Sequence, residues 1–141
     1  ARWVQALDLA AVMADSDKVP HGTRYDALRM LGCEPWSKRG EQLVRYLVQG
    51  SPEELQMGAV CGLVDVPGPE AAAALVQSLG YLRGHPRDLA LDGLVKVSSG
   101  KQALREAIQQ GLLSVETLGG NRRARLRDNA DRGIEGAPGK P

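Results

Sequence analysis

An internal repeat constrains this chain more than any other feature. Three segments share the pattern Gln/Arg-x-x-Ala-x-x-x-Leu: Arg24, Ala27 and Leu31; Gln56, Ala59 and Leu63; Arg87, Ala90 and Leu94. Successive copies begin 32 and 31 residues apart. Ala and Leu four residues apart share one helical face, with the small residue where a neighbouring helix comes closest. A second helical pattern follows each copy: Leu43, Val44 and Leu47; Leu75, Val76 and Leu79; Leu104 and Ile108. Pro35 and Pro67 separate the two helices in the first and second copies, because proline cannot continue a helix. Gly50, Gly80 and Gly111 stand where the second helices should close. Ser51-Pro52-Glu53-Glu54 reads as a helix start, with Ser51 as the cap and Pro52 in the first turn. His85-Pro86 opens the third copy in a similar way.

One hairpin cannot bury its own apolar face, so neighbouring hairpins must stack. The sequence therefore predicts an all-α, right-handed α-solenoid of stacked helical hairpins, at about 21–50, 51–83 and 84–111. Residues 2–14 carry helical spacing at Trp3, Leu7 and Ala10 or Ala11, and read as the second helix of an incomplete repeat that ends at Asp15-Ser16-Asp17. Residues 112–118 read as a short segment containing a turn. Residues 121–130 read as a last helix, with Arg123, Leu126 and Ala130 a degraded copy of the template. The domain is expected to span 1–132, and the Gly/Pro-rich residues 133–141 to form a tail or linker.

The template helix with its paired partner resembles HEAT-like repeats, over about residues 21–111. The stretch 54–65 (ELQMGAVCGLVD), with 90–94 (ALDGL) and 122–126 (RRARL), is similar to HEAT-like modules of large exported bacterial multidomain proteins. Such modules stand beside sulfatase-type or membrane-bound dehydrogenase domains, often with a c-type cytochrome. The sequence holds no CxxCH haem attachment and no sulfatase nucleophile motif. The resemblance implies a protein–protein interaction module. The second likeness implies a periplasmic or exported location; without it a cytoplasmic one is expected. Ala1, in place of Met, reads as a cut in a longer protein or a matured terminus.

Composition narrows the function classes. The chain has 18 basic and 17 acidic residues, whereas dedicated nucleic-acid or membrane-surface binders carry a strong excess of one sign. Phe is absent, and the apolar residues are mainly Ala, Leu and Val, which suits close helix packing. No apolar run reaches the roughly 18–20 residues that span a bilayer. Cys33 and Cys61 lack CxxC spacing and read as two small buried thiols. His21 and His85 each precede a template helix and read as cap or loop residues. No metal set, cofactor motif or catalytic constellation is evident, and the chain is not expected to be an enzyme.

The second helices of a solenoid line one of its surfaces. Arg39, Gln42, Arg45, Gln49, Gln77, Arg105 and Gln109 are the expected exposed positions there, and form the candidate interaction surface. Trp36 and Tyr46 flank it and read first as core, second as anchors. Arg122, Arg123, Arg125 and Arg127, with Arg132, form a candidate basic patch. Gly119-Gly120 reads as a turn before that helix, or as an anion cradle at its start. The first expectation is a non-catalytic scaffold that binds a protein partner or a neighbouring domain, as a fragment of a larger multidomain protein. The alternatives are a helical-repeat nucleic-acid binder using the Arg122–Arg127 cluster, and an accessory domain of an enzyme whose catalytic residues lie elsewhere.

Overall fold

The computed structural model describes residues 2–135, with side chains up to Arg127. Among these residues the protein is all-helical, with eight α-helices and no strand. They are α1 (Arg2–Ala14), α2 (His21–Met30), α3 (Trp36–Arg45), α4 (Glu53–Asp65), α5 (Pro69–Ser78), α6 (Gly84–Leu94), α7 (Ser98–Gln109) and α8 (Gly119–Glu135). Short 3-10 turns at Leu31–Cys33 and Val115–Leu118 complete the chain. The last helix passes the boundary expected at residue 132; the rest of the expected tail, residues 136–141, lies outside the described residues.

Proline sets four of the helix starts. Pro20, Pro35 and Pro52 immediately precede α2, α3 and α4, and Pro69 opens α5. A helix start needs no amide donor, so the missing N–H costs nothing there. Pro52 takes the boundary expected for Ser51: its carbonyl accepts from the amides of Leu55 and Gln56 at 3.0 Å each, and no side chain caps α4. At the end of α7, Gly111 adopts φ +77°. The amides of Gly111 and Leu112 bond back to Ile108 and Ala107 at 3.1 and 2.9 Å, the paired bonds of a glycine-terminated helix.

The helices lie in two rows. The template helices α2, α4 and α6 pack on one another in sequence, and α5 and α7 pack side by side in the second row with α3 before them. α1 packs on α2 and is bonded to α3. Every Ala and Leu of the template is buried: Ala27, Ala59 and Ala90, and Leu31, Leu63 and Leu94. So are Leu43, Leu47, Leu75, Leu79 and Leu104 of the second helices. Each such leucine contributes about 1.5–3 kcal/mol by leaving water. α2 and α4 approach closely at Gly62, where a Cβ would stand 2.6 Å from the Leu28 carbonyl oxygen. The two template helices α2 and α4 meet there backbone to backbone, with no room for a side chain.

The polar residue of the template also has a structural task. Arg24 Nε donates to the Ala14 carbonyl at 2.8 Å, and Gln56 Nε2 donates to the Val48 carbonyl at 3.0 Å. Arg87 donates in the same way to the Leu79 carbonyl. Each target lies at or just past the end of the preceding second helix, where carbonyls have no partner within the helix. One long donor per repeat therefore joins each unit to the one before it. Arg24 is the most deeply placed and is buried; its guanidinium also lies 5.8 Å from the Tyr46 ring centroid.

Candidate interaction surface

The residues expected to line an open face divide sharply. Arg39 and Gln42 reach back to α1, and Arg45 to Asp15 just past its end. Arg39 Nη2 donates to Asp8 Oδ1 at 2.7 Å and its Nε donates to Glu34 Oε1 at 2.6 Å. Gln42 Nε2 donates to the Ala11 carbonyl at 2.8 Å. Arg45 Nη2 donates to Asp15 Oδ2 at 3.2 Å, and the Tyr46 hydroxyl bonds both Asp15 and the Ala14 carbonyl. These side chains seal the joint between α1 and α3. Arg39 and Gln42 are half-buried rather than exposed. Arg105 is half-buried too, donating to the Leu126 carbonyl of α8 at 2.9 Å. Gln49, Gln77 and Gln109 are exposed.

Buried Glu34 anchors the same joint from the turn after α2. Lys38 Nζ stands 2.7 Å from its Oε2, while Arg39 holds Oε1. Burial alone would raise its pKa, but the bonds from Lys38 and Arg39 outweigh burial and hold the carboxyl below its ordinary value. Asp15 behaves alike. Burial raises it, and the Tyr46, Gln42 and Arg45 side chains together pull it below the usual carboxylate value.

The next joint is open. Between α3 and α5 lies a groove of about 580 Å³. Trp36, Ser37, Glu41, Val44 and Arg45 line it from α3, and Glu70, Ala73, Ala74 and Gln77 line it from α5. Trp36 is half-buried. Its ring lies over Gly40, where a Cβ would stand 2.5 Å from the ring atom Cε3, so that glycine fixes how the ring lies. Of the expected surface residues, only Arg45 and Gln77 line this groove. The walls Glu41, Glu70, Ala73 and Ala74 were not expected from the repeat.

The basic helix α8 is partly committed. Arg122 Nε donates to Asp92 Oδ1 at 2.7 Å, and its Nη2 lies 3.5 Å from Asp88 Oδ1. The Asp92 bond raises its pKa above the usual guanidinium value, against burial. Arg123, Arg125 and Arg127 are exposed; the side chain of Arg132 lies outside the described residues. Gly119, at φ +79°, opens α8 beside a cleft of about 440 Å³ lined by Lys96, Arg122 and Arg125. Asp92 stands on the same wall and offsets the positive charge facing an anion.

Cys33 differs from its expected burial and is exposed on the turn after α2, while Cys61 is half-buried with Sγ 3.8 Å from the Tyr25 hydroxyl. His21 and His85 lie exposed in the first turns of α2 and α6. Among the described residues no group of three or more His, Cys, Asp or Glu is placed to hold a metal ion. No helix of the described residues is long and apolar enough to cross a membrane. Comparison with known protein families, with curated proteins and with solved structures finds no match to this chain.

Proposed function

We propose that this chain is a non-catalytic scaffold, a right-handed HEAT-like α-solenoid that binds a protein partner or a neighbouring domain. Two rows of helices and a donor repeated once per unit support the solenoid reading. The observation that carries the binding role is the α3–α5 groove. It sits in a row whose preceding joint is sealed by three side chains, and it combines a half-buried tryptophan, small residues and flanking charges. That combination suits an anchor pocket for another protein.

A photo-crosslinking residue at Ala74 tests this. Irradiation in the native host should yield one defined adduct, mapped by mass spectrometry to a single partner segment. The same label at Gln109, away from the groove, should not form that adduct. Equal labelling from both positions, or none from Ala74, counts against the binding role.

The exposed Arg123, Arg125 and Arg127 favour a second reading, a nucleic-acid binder. It requires an affinity that falls steeply with salt and is lost when these three arginines become glutamine. A salt series with single- and double-stranded probes separates the two readings.

A further inference from the structure

The two neighbouring joints can be compared position by position. Leu43 of α3 and Leu47 just past its end occupy the buried places that Ala10 and Ala14 hold in α1, and Leu75 and Leu79 hold them next, around α5. In this register Glu41 of α3 matches Asp8 of α1, while Glu70 and Ala71 of α5 match Lys38 and Arg39 of α3.

At the α1–α3 joint, Asp8 meets two cations: Arg39 at 2.7 Å and Lys38 at 3.7 Å. At the α3–α5 joint the acid is kept and both cations are gone. Glu41 and Glu70 line the groove from its two sides, with Glu70 at the place of the lysine, and a buried Ala71 stands at the place of the arginine. Among the described residues neither glutamate has an ion-pair partner. The one cation on the groove, Arg45, already leans on Asp15 at 3.2 Å. Two like charges on facing walls disfavour an empty or acid-filled groove and favour a cation between them. Trp36 adds a ring face that attracts cations, and Val44, Ala73 and Ala74 add an apolar floor.

We propose that this groove takes a cationic peptide segment, in which an arginine or lysine is set close to an aliphatic side chain. The partner's cation supplies to Glu41 and Glu70 what Arg39 and Lys38 supply to Asp8. Its aliphatic neighbour lies on Trp36, Val44 and the two alanines. This rests on the scaffold reading and names the chemistry of its partner.

The test uses the 141-residue chain with Trp3→Phe, so that Trp36 is the only tryptophan reporting. Acetyl-Leu-Arg-Ala-Leu-Arg-amide is titrated against acetyl-Leu-Glu-Ala-Leu-Glu-amide, following Trp36 emission. The arginine peptide should shift the emission and saturate, and the glutamate peptide should bind at least about tenfold more weakly, since a like-charge juxtaposition opposes it. Glu41→Gln with Glu70→Gln, both at exposed positions, should weaken the arginine peptide about fivefold or more while leaving the circular dichroism unchanged. Ala74→Arg should abolish binding by filling the groove with a cation of its own. Equal binding of both peptides, or an affinity indifferent to the two Gln substitutions, overturns the cationic assignment and leaves the scaffold reading standing. Silence from both peptides, with a specific Ala74 crosslink still formed, overturns it too. Loss of the crosslink as well overturns the scaffold reading itself.

Discussion

The α1–α3 joint and the α3–α5 joint are built on the same buried leucine and alanine register, yet one is sealed and the other is a groove. The difference lies in three positions that the core does not use. Arg39 and Gln42 bridge to α1, and Arg45 to Asp15 just past its end. Their counterparts on α5 are Ala71, Ala74 and Gln77, of which only the last can reach far. In a stack of repeats the buried positions hold neighbours together, so the positions between them are free to close a joint or open it. The wall chemistry of each joint is thus written separately from its stability.

The largest expected effect falls on the template row, outside either joint. Gly62→Val drives a branched side chain into the backbone at Leu28, where even a Cβ would stand 2.6 Å from the carbonyl oxygen. Overpacking of this kind costs about 3 kcal/mol. A lowered urea midpoint with an unchanged slope checks it. An unaltered midpoint would mean that α2 and α4 do not meet at this glycine.

Breaking only the sealed joint should cost less. Arg39→Ala removes the bonds to Asp8 and Glu34, and leaves the buried Glu34 carboxylate to Lys38 alone. An orphaned partner in such a pair costs about 2 kcal/mol. The loss should fall on α1: amide exchange should quicken there and stay slow in α6 and α7. Uniform quickening would show that the joint is not a separate unit.

Acid should attack the same joint. Glu34 and Asp15 both have folded-state pKa values below their ordinary ones. Groups shifted this way stabilise the fold fully above their unfolded pKa, and that stability is lost as pH falls through the lower folded value. Between about pH 4.5 and the acid limit, the α1–α3 joint should therefore loosen. Chemical-shift changes that begin in α1 and α3 as pH is lowered check the order. Arg39→Ala should flatten the Glu34 part of that dependence.

The contrast also shows where a sequence is legible. The repeat revealed itself because it is made of buried Ala and Leu at helical spacing, and burial leaves few alternatives at each site. The start of α4 was misplaced by one residue, since Pro52 can end a loop without the hydroxyl that Ser51 offers. The Arg/Gln surface was harder. An arginine on a second helix reads as exposed until its partner is known, and the partner lies one repeat upstream. A signal was present: Asp8 precedes Arg39, and Asp15 precedes Arg45, by nearly one period. The groove had the reverse signal, a Lys-Arg pair at 38–39 replaced by Glu-Ala at 70–71. It is visible only when the copies are compared by what differs between them.

The smallest effect should come from closing the groove with the sealed joint's own chemistry. Glu70→Lys places a cation opposite Glu41, as Lys38 stands opposite Asp8, and Ala74→Gln offers the long amide that Gln42 extends to α1. Both sites lie on a solvent-facing wall, so the new ion pair is worth only about 0.5 kcal/mol. The gain in stability should be slight, yet the groove should lose its affinity for a cation outright, because its own lysine now occupies the place. A double variant that is no less stable, but blind to the arginine peptide, would show that these wall positions choose between a sealed joint and an open one. If it bound the peptide as before, the opening would have to come from the backbone spacing of α3 and α5, and their wall residues would have no part in it.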